Sequence, residues 1–270
     1  MTEPLLIVKN LCLDIRKDGR AIPILRDVGF ELKPGERKGI AGESGAGKSM
    51  TMHCLTALIP RNICDIRGEI LFRDGDGRYT DALKLPWPER QRFCAGKISL
   101  ILQDSINALN PFIRIETQWA ETARLHRPDM DKAKVREHLL RTMDAFGIPG
   151  GVETLRKYPH QLSGGMRQRI AIGMALESDA PILIADEPTT SLDTINQRKV
   201  VEFIEALCAA RGLSMLYITH NLGIVQAICD SAIVMKDGRI VEQGATRDLF
   251  ASPADPYTRQ LIEGTRGLRR

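Results

Sequence analysis

Four short runs, three of them mostly apolar and the first opening on charged residues, punctuate the chain, and each ends on a polar or glycine-rich segment. They are 36–41 before Gly42, 98–102 before Gln103, 182–185 before Asp186-Glu187, and 214–219 before His220. None is long enough for a helix, so each reads as a strand, and the continuous apolar run 182–185 suits a strand buried on both faces of an open, mostly parallel sheet. Ile7 to Leu13 and Val28 to Leu32 do alternate, as strands of an antiparallel edge sheet would, and Pro34-Gly35 marks the turn into the core. After the glycine-rich segment, Met50, Cys54, Leu55 and Leu58 recur at helical spacing. Residues 74–88 read as a loop in which Trp87 serves packing. From 110 to 158 the pattern turns helical, with Val135, Leu139, Leu140, Met143 and Phe146 forming one apolar stripe beside Lys132, Lys134, Arg136 and Arg141. The string from Gly238 to Gly244 predicts a hairpin followed by a terminal helix, and no internal repeat or low-complexity tract is present.

Composition narrows the class. A chain of 270 residues with 43% hydrophobic content can bury one large core and a smaller lobe. No apolar run approaches the ~18 residues a membrane span requires, and the acidic Glu3 and Asp14 around a weak apolar segment argue against a signal peptide. Any membrane association is therefore expected to come through partners. The six cysteines contain no Cys-x-x-Cys pair, which suggests reduced thiols. A net charge of +4 without a basic run gives no support to nucleic-acid binding.

The chemistry is carried by Gly42-Glu43-Ser44-Gly45-Ala46-Gly47-Lys48-Ser49, a full phosphate-loop match in the strand-to-helix context that the motif requires. Gly42, Gly45 and Gly47 allow backbone conformations in which successive N–H groups, extending to Met50, point at phosphate oxygens. The helix start adds partial positive charge. Lys48 is expected to reach the β- and γ-phosphates and the Ser49 hydroxyl to ligate Mg²⁺. In an open parallel sheet ligands bind beyond the carboxyl ends of the strands, where Asp186, Glu187 and His220 all fall. Asp186 is expected to hold Mg²⁺ through water, Glu187 to polarise the attacking water, and His220 to contact the γ-phosphate.

Residues 162–169, Leu-Ser-Gly-Gly-Met-Arg-Gln-Arg, resemble the signature loop of ABC-transporter ATPases, with Met166 where the family pattern has Gln. Ser163, Gly164 and Gly165 are intact and open a helix, where free N–H groups suit a γ-phosphate; Ser163 can also serve simply as an N-cap. The resemblance spans nearly the whole chain. It implies an α/β phosphate-loop core with an antiparallel β edge (1–103 and 176–245), an inserted helical lobe (104–175) and a helical tail (246–270). It further implies ATP as nucleotide, Gln103 as the glutamine that touches Mg²⁺, Asp193 in a loop communicating across a dimer, and two nucleotides sandwiched between two ATPase chains. Near 15–20 no aromatic residue is available to stack on adenine, and Arg16 is the substitute on offer.

Three further strings, Leu109-Asn110-Pro111, Tyr158-Pro159-His160 and Asp255-Pro256-Tyr257-Thr258, resemble the ATPases of peptide and nickel importers. In that group the partners are a second, usually different ATPase chain, two permease subunits and, indirectly, a solute-binding protein, and the ATPase lies on the cytoplasmic face of the membrane. Leu109 and Phe112 are candidate anchors for a permease segment, with the lobe core as the alternative for both. Two rival readings are a non-transport ABC protein and a non-hydrolysing regulatory subunit. The first lacks the expected long insertion or second cassette, and the second would lack the carboxylate that Glu187 supplies.

Overall fold

The four runs become four adjacent strands of one sheet, the one from 98–102 at its edge. A computed structural model of the chain describes residues 3–59, 62–103, 108–189 and 194–267. Its six-stranded sheet has the order β10-β9-β3-β8-β7-β6. In chain order these strands are β3 (Arg37–Ala41), β6 (Ile98–Ile101), β7 (Ile182–Asp186), β8 (Ser214–Thr219), β9 (Ser231–Lys236) and β10 (Arg239–Ala245). All neighbours pair in parallel except β9 and β10, which form the expected hairpin around Asp237 and Gly238, both at positive φ.

Burial on both faces follows period two, residue by residue. Ile182, Ile184, Leu216, Ile218, Ile233 and Met235 point into one core, while Leu183, Ala185, Met215, Tyr217, Ala232 and Val234 point into the other. The first core is closed by an antiparallel sheet of order β2-β1-β4-β5, made of β1 (Leu6–Lys17), β2 (Arg20–Leu32), β4 (Cys64–Arg73) and β5 (Tyr79–Asp81). Helices α1 (Lys48–Leu55) and α2 (Trp87–Lys97) complete it. The second core is closed by α3 (Ile115–His126), α4 (Lys132–Ala145), α5 (Gly151–Arg156), α6 (Gly164–Ala175), α7 (Thr194–Arg211), α8 (Leu222–Ile228), α9 (Thr246–Ala251) and α10 (Pro256–Gly267). Gly39 shows how close that packing is: a Cβ there would lie 2.6 Å from Val225 Cγ1 of α8.

Two sequence expectations are corrected. Residues 74–88 are not one loop, because Tyr79–Asp81 pairs with β4 and the Asp81 carboxylate caps a short 3₁₀ turn at Ala82–Lys84. Trp87 begins α2 and is half-buried beneath Arg90, in keeping with a packing role. Helix α1 is also shorter than its apolar spacing suggested. Its C-cap Thr56 bonds back to Met52, Ala57 adopts φ 55°, and Leu58 is left outside the helix and exposed.

The helical stripe holds as read: Val135, Leu139, Met143 and Phe146 are buried and Leu140 is partly so. This lobe is fastened to the sheet by one buried carboxylate. Glu177, in the turn between α6 and β7, accepts hydrogen bonds from Trp119 Nε1 (2.7 Å) and Arg127 Nη1 (2.8 Å) and pairs with His138 Nε2 (2.8 Å). A carboxylate so enclosed tolerates burial because its lone pairs are occupied.

Candidate nucleotide-binding site

Parallel register brings the ends of the strands to one edge. Ala41 lies opposite Thr219, Asp186 opposite Ile218, and Ile101 opposite Ala185. Residues 42–47 leave β3 there and turn into α1. Gly42 (φ 150°) could not carry a side chain, since a Cβ would sit 2.3 Å from the Met235 carbonyl oxygen. At Gly47 (φ 102°) a Cβ would sit 2.8 Å from Leu25 Cδ2. The loop is thus pressed between the end of β9 and the edge sheet, and Gly238 N donates to Ala46 O at 3.1 Å. Glu43, Ser44, Gly45 and Ser49 face solvent, Ala46 is buried, and Met50 is half-buried.

Lys48 is buried and donates to the carbonyls of Gly42 (2.8 Å) and Glu43 (2.9 Å). Burial lowers its pKa, opposed by the charges of Glu187 and Asp186. Burial likewise raises the pKa of Asp186, although the Ser49 hydroxyl, 3.4 Å from its Oδ1, works the other way. Two opposite charges therefore share a site where desolvation outweighs their attraction. Such a site gains from a phosphate and a cation, which compensate both. A hydroxyl and a carboxylate side by side form a hard oxygen donor set, which fits a divalent cation such as Mg²⁺.

A stability consequence follows from the sign of the Asp186 shift. A carboxyl whose pKa is higher folded than unfolded disfavours folding once ionised, and the penalty vanishes at low pH. Asp186→Asn is expected to raise the melting temperature of the nucleotide-free chain near neutral pH. That gain should shrink as the pH falls from the raised carboxyl pKa of the folded chain toward the ordinary carboxylate value, about 4, and be absent below it. Calorimetry across this range is the check, and a gain that persists undiminished in acid would rule out desolvation as its cause.

Glu187 steps out of the strand with φ 44°, while its N–H still donates to Ile218 O at 2.9 Å. Its carboxylate meets His220 Nδ1 at 3.0 Å and Gln103 Nε2 at 3.5 Å. Two residues from neighbouring strand ends, Gln103 and His220, thus converge on the Glu187 carboxylate at the sheet edge. Gln168 of α6 is a further residue of this edge, to which the sequence alone assigns no role. Its side chain donates to Pro188 O at 3.0 Å and ties the helix that follows Ser163 to the segment that follows Glu187. It lies inside the string 162–169, yet nothing in that string indicates its contact with Pro188, which only the fold creates.

Ser163 caps α6, with Oγ accepting from Met166 N at 3.3 Å, and Ser163, Gly164 and Gly165 are exposed. Asp193 and the rest of Ser191-Leu192-Asp193 lie outside the described residues. The paired expectation for Leu109 and Phe112 splits: Leu109 is 4% exposed and belongs to the second core, whereas Phe112 is 88% exposed. Arg16 is exposed and lies opposite Ala21, while Ile15 lies opposite Ile22. Strand alternation therefore sends Arg16 to the other face from the aliphatic pair.

The ABC transporter family profile matches residues 25–190. A putative peptide import ATP-binding protein of Brucella ovis is 37% identical over 96% of this chain and 77% of its own length. The dipeptide transport ATP-binding protein DppD of Bacillus subtilis is 38% identical over 96% of this chain and 76% of its own. The oligopeptide transport ATP-binding protein OppD of Escherichia coli is 39% identical over 96% and 75%. Among solved structures, the dimeric post-hydrolysis state of the ATP-binding cassette MJ0796 bound to ADP and Pi superposes with a TM-score of 0.72 at 25% identity. It covers 90% of this chain and 99% of that one. The chain belongs to the ABC transporter family and is one of its ATPases.

Proposed function

We propose that this ATPase energises import of peptides, working as the nucleotide-hydrolysing subunit beneath a pair of permeases. The observation that carries the reading is the convergence of Gln103 and His220 on Glu187 beside the Lys48 loop. In this reading the backbone N–H groups of 44–50 and the Lys48 ammonium hold the phosphates. Ser49, Asp186 and Gln103 hold Mg²⁺, which when bound neutralises charge on the β- and γ-phosphates. Glu187 takes the proton from the attacking water, and His220 keeps that carboxylate turned toward it. Ser163, Gly164 and Gly165 serve the nucleotide of an opposing ATPase subunit, which fits their exposure at the start of α6. The opposing subunit is a homologous, different chain, and a solute-binding protein delivers the cargo.

The relatives' names favour peptides over nickel as cargo class. No helix among the described residues is long and apolar enough to cross a membrane. In this reading the chain is attached to the cytoplasmic face by the permeases. Residues 104–175 act as the lobe that receives them, and Phe112 is the apolar anchor, since an aromatic exposed to this degree suits the centre of an interface. Phe112→Asp is expected to cut peptide uptake and cargo-stimulated ATP hydrolysis by the assembled transporter by more than about ten-fold, the size of a hot-spot loss. ATP affinity of the single chain should stay within about two-fold, because no phosphate contact is touched. Uptake assays in reconstituted vesicles with a peptide cargo are the test, and full uptake by this variant would remove Phe112 from the interface.

A further inference from the structure

We propose that Tyr257 is a positioning residue of the phosphate loop, through which the C-terminal helix is tied to the nucleotide site. Its hydroxyl accepts the backbone N–H of Glu43 at 3.1 Å. Although Glu43 stands inside the glycine-rich motif, its N–H is thereby turned away from the phosphate cradle. The other end of the same peptide unit, Gly42 O, accepts from Lys48 Nζ at 2.8 Å. Carbonyl and N–H of a trans peptide point in opposite directions, so Lys48 and Tyr257 hold this one peptide plane from its two sides. Lys48 must divide its three protons between the loop carbonyls and a bound phosphate. The tyrosine hydroxyl is the hold that nucleotide leaves untouched.

The ring that carries this hydroxyl is itself fixed. Tyr257 is 8% exposed, and the Lys236 ammonium lies 4.6 Å from its ring centroid. Asp255 Oδ1 accepts from Tyr257 N at 2.8 Å, while the Glu242 carboxylate of β10 accepts from Ala254 N (2.9 Å) and Asp255 N (3.1 Å). The string Asp255-Pro256-Tyr257 thus starts α10 at a defined place and aims one hydroxyl at the loop. In sequence it only helped to mark a subfamily; in the fold it reaches the phosphate site.

This inference rests on reading 42–49 as the phosphate cradle. Tyr257→Phe removes the hydroxyl and keeps the ring, its burial and the Lys236 contact, so the fold is retained. In the full chain, ATP affinity by calorimetry is expected to fall about five-fold, the equivalent of one neutral hydrogen bond. In the assembled transporter KM for ATP should rise by a similar factor with kcat kept. Amide exchange of residues 42–47 should accelerate with and without ATP, while exchange across β7 and β8 stays unchanged, an effect that a general loss of packing does not produce. Tyr257→Leu, which also removes the ring, should give the same loss of affinity with a lower melting temperature. Tyr257→Phe with ATP affinity within two-fold of the parent and unaltered exchange at 42–47 would overturn the proposal. Lys48→Ala, measured alongside, separates the two levels. If it binds ATP normally, the cradle reading fails and takes the proposal with it; if it loses ATP while Tyr257→Phe does not, the Tyr257 proposal alone fails.

Discussion

Glu187→Gln is expected to bind ATP with near-parental affinity while hydrolysis by the assembled transporter falls on the order of 10²- to 10⁴-fold, the range for losing a general base. The substitution keeps the size of the side chain and an oxygen that can still accept from His220 or Gln103, so the convergence on this position survives. What disappears is the ability to take a proton. ATP that binds but is not turned over should accumulate on associated ATPase subunits, visible as a nucleotide-dependent shift in size-exclusion chromatography. Near-parental turnover by Glu187→Gln in an intact complex would falsify the assignment and shift attention to His220.

The second large effect separates the two halves of the proposed composite site. Lys48→Ala deletes a buried cation from a loop that otherwise stays in place, and ATP affinity of the single chain should drop about 10- to 100-fold, as for a charge-assisted hydrogen bond. Ser163→Arg puts bulk on an exposed surface and should leave that affinity within about two-fold. Its effect should instead be on ATP-driven association, tested in the Glu187→Gln background where association is most visible. The lost cap costs about 1 kcal/mol on its own. Ser163→Gly, which sacrifices only a few tenths of that, is the control for helix fraying. If Lys48→Ala and Ser163→Arg give the same binding defect in the single chain, Ser163 does not act across an interface.

These sites were readable to different depths. The buried strands and the phosphate loop carry their information locally: a short apolar run, then glycine at positions where φ or a neighbouring carbonyl forbids a side chain. The strand ends at Asp186, Glu187 and His220 were readable for the same reason, since a polar residue that halts an apolar run marks the carboxyl edge. Leu58 shows the limit of periodicity, because a helix can be stopped by one threonine bonding back and one alanine at positive φ while the apolar spacing continues. Gln168 and Tyr257 were opaque for a different reason. Each touches a backbone group that lies distant in the chain, and no local pattern encodes which carbonyl or amide will arrive beside it. Leu109 and Phe112 look alike in sequence, and only the packing of the second core tells an inner residue from an outer one.

The two-sided burial of β7 and β8 has a bearing on how the sheet finds its alignment. A strand with one wet face cannot slide by a residue without turning its greasy side outward. A strand that is apolar on both faces has no wrong side, so polarity along its middle does nothing to prevent such a slide. The safeguard has to sit at the ends, and on β7 the polar residue at the end is Asp186, with Glu187 immediately beyond. Drawing β7 one step inward would drag an ionised carboxylate to the present level of Ala185, between Ile101 and Tyr217 of the neighbouring strands and away from the Ser49 hydroxyl. The charge at the nucleotide edge therefore acts as a doorstop for the strand that carries it.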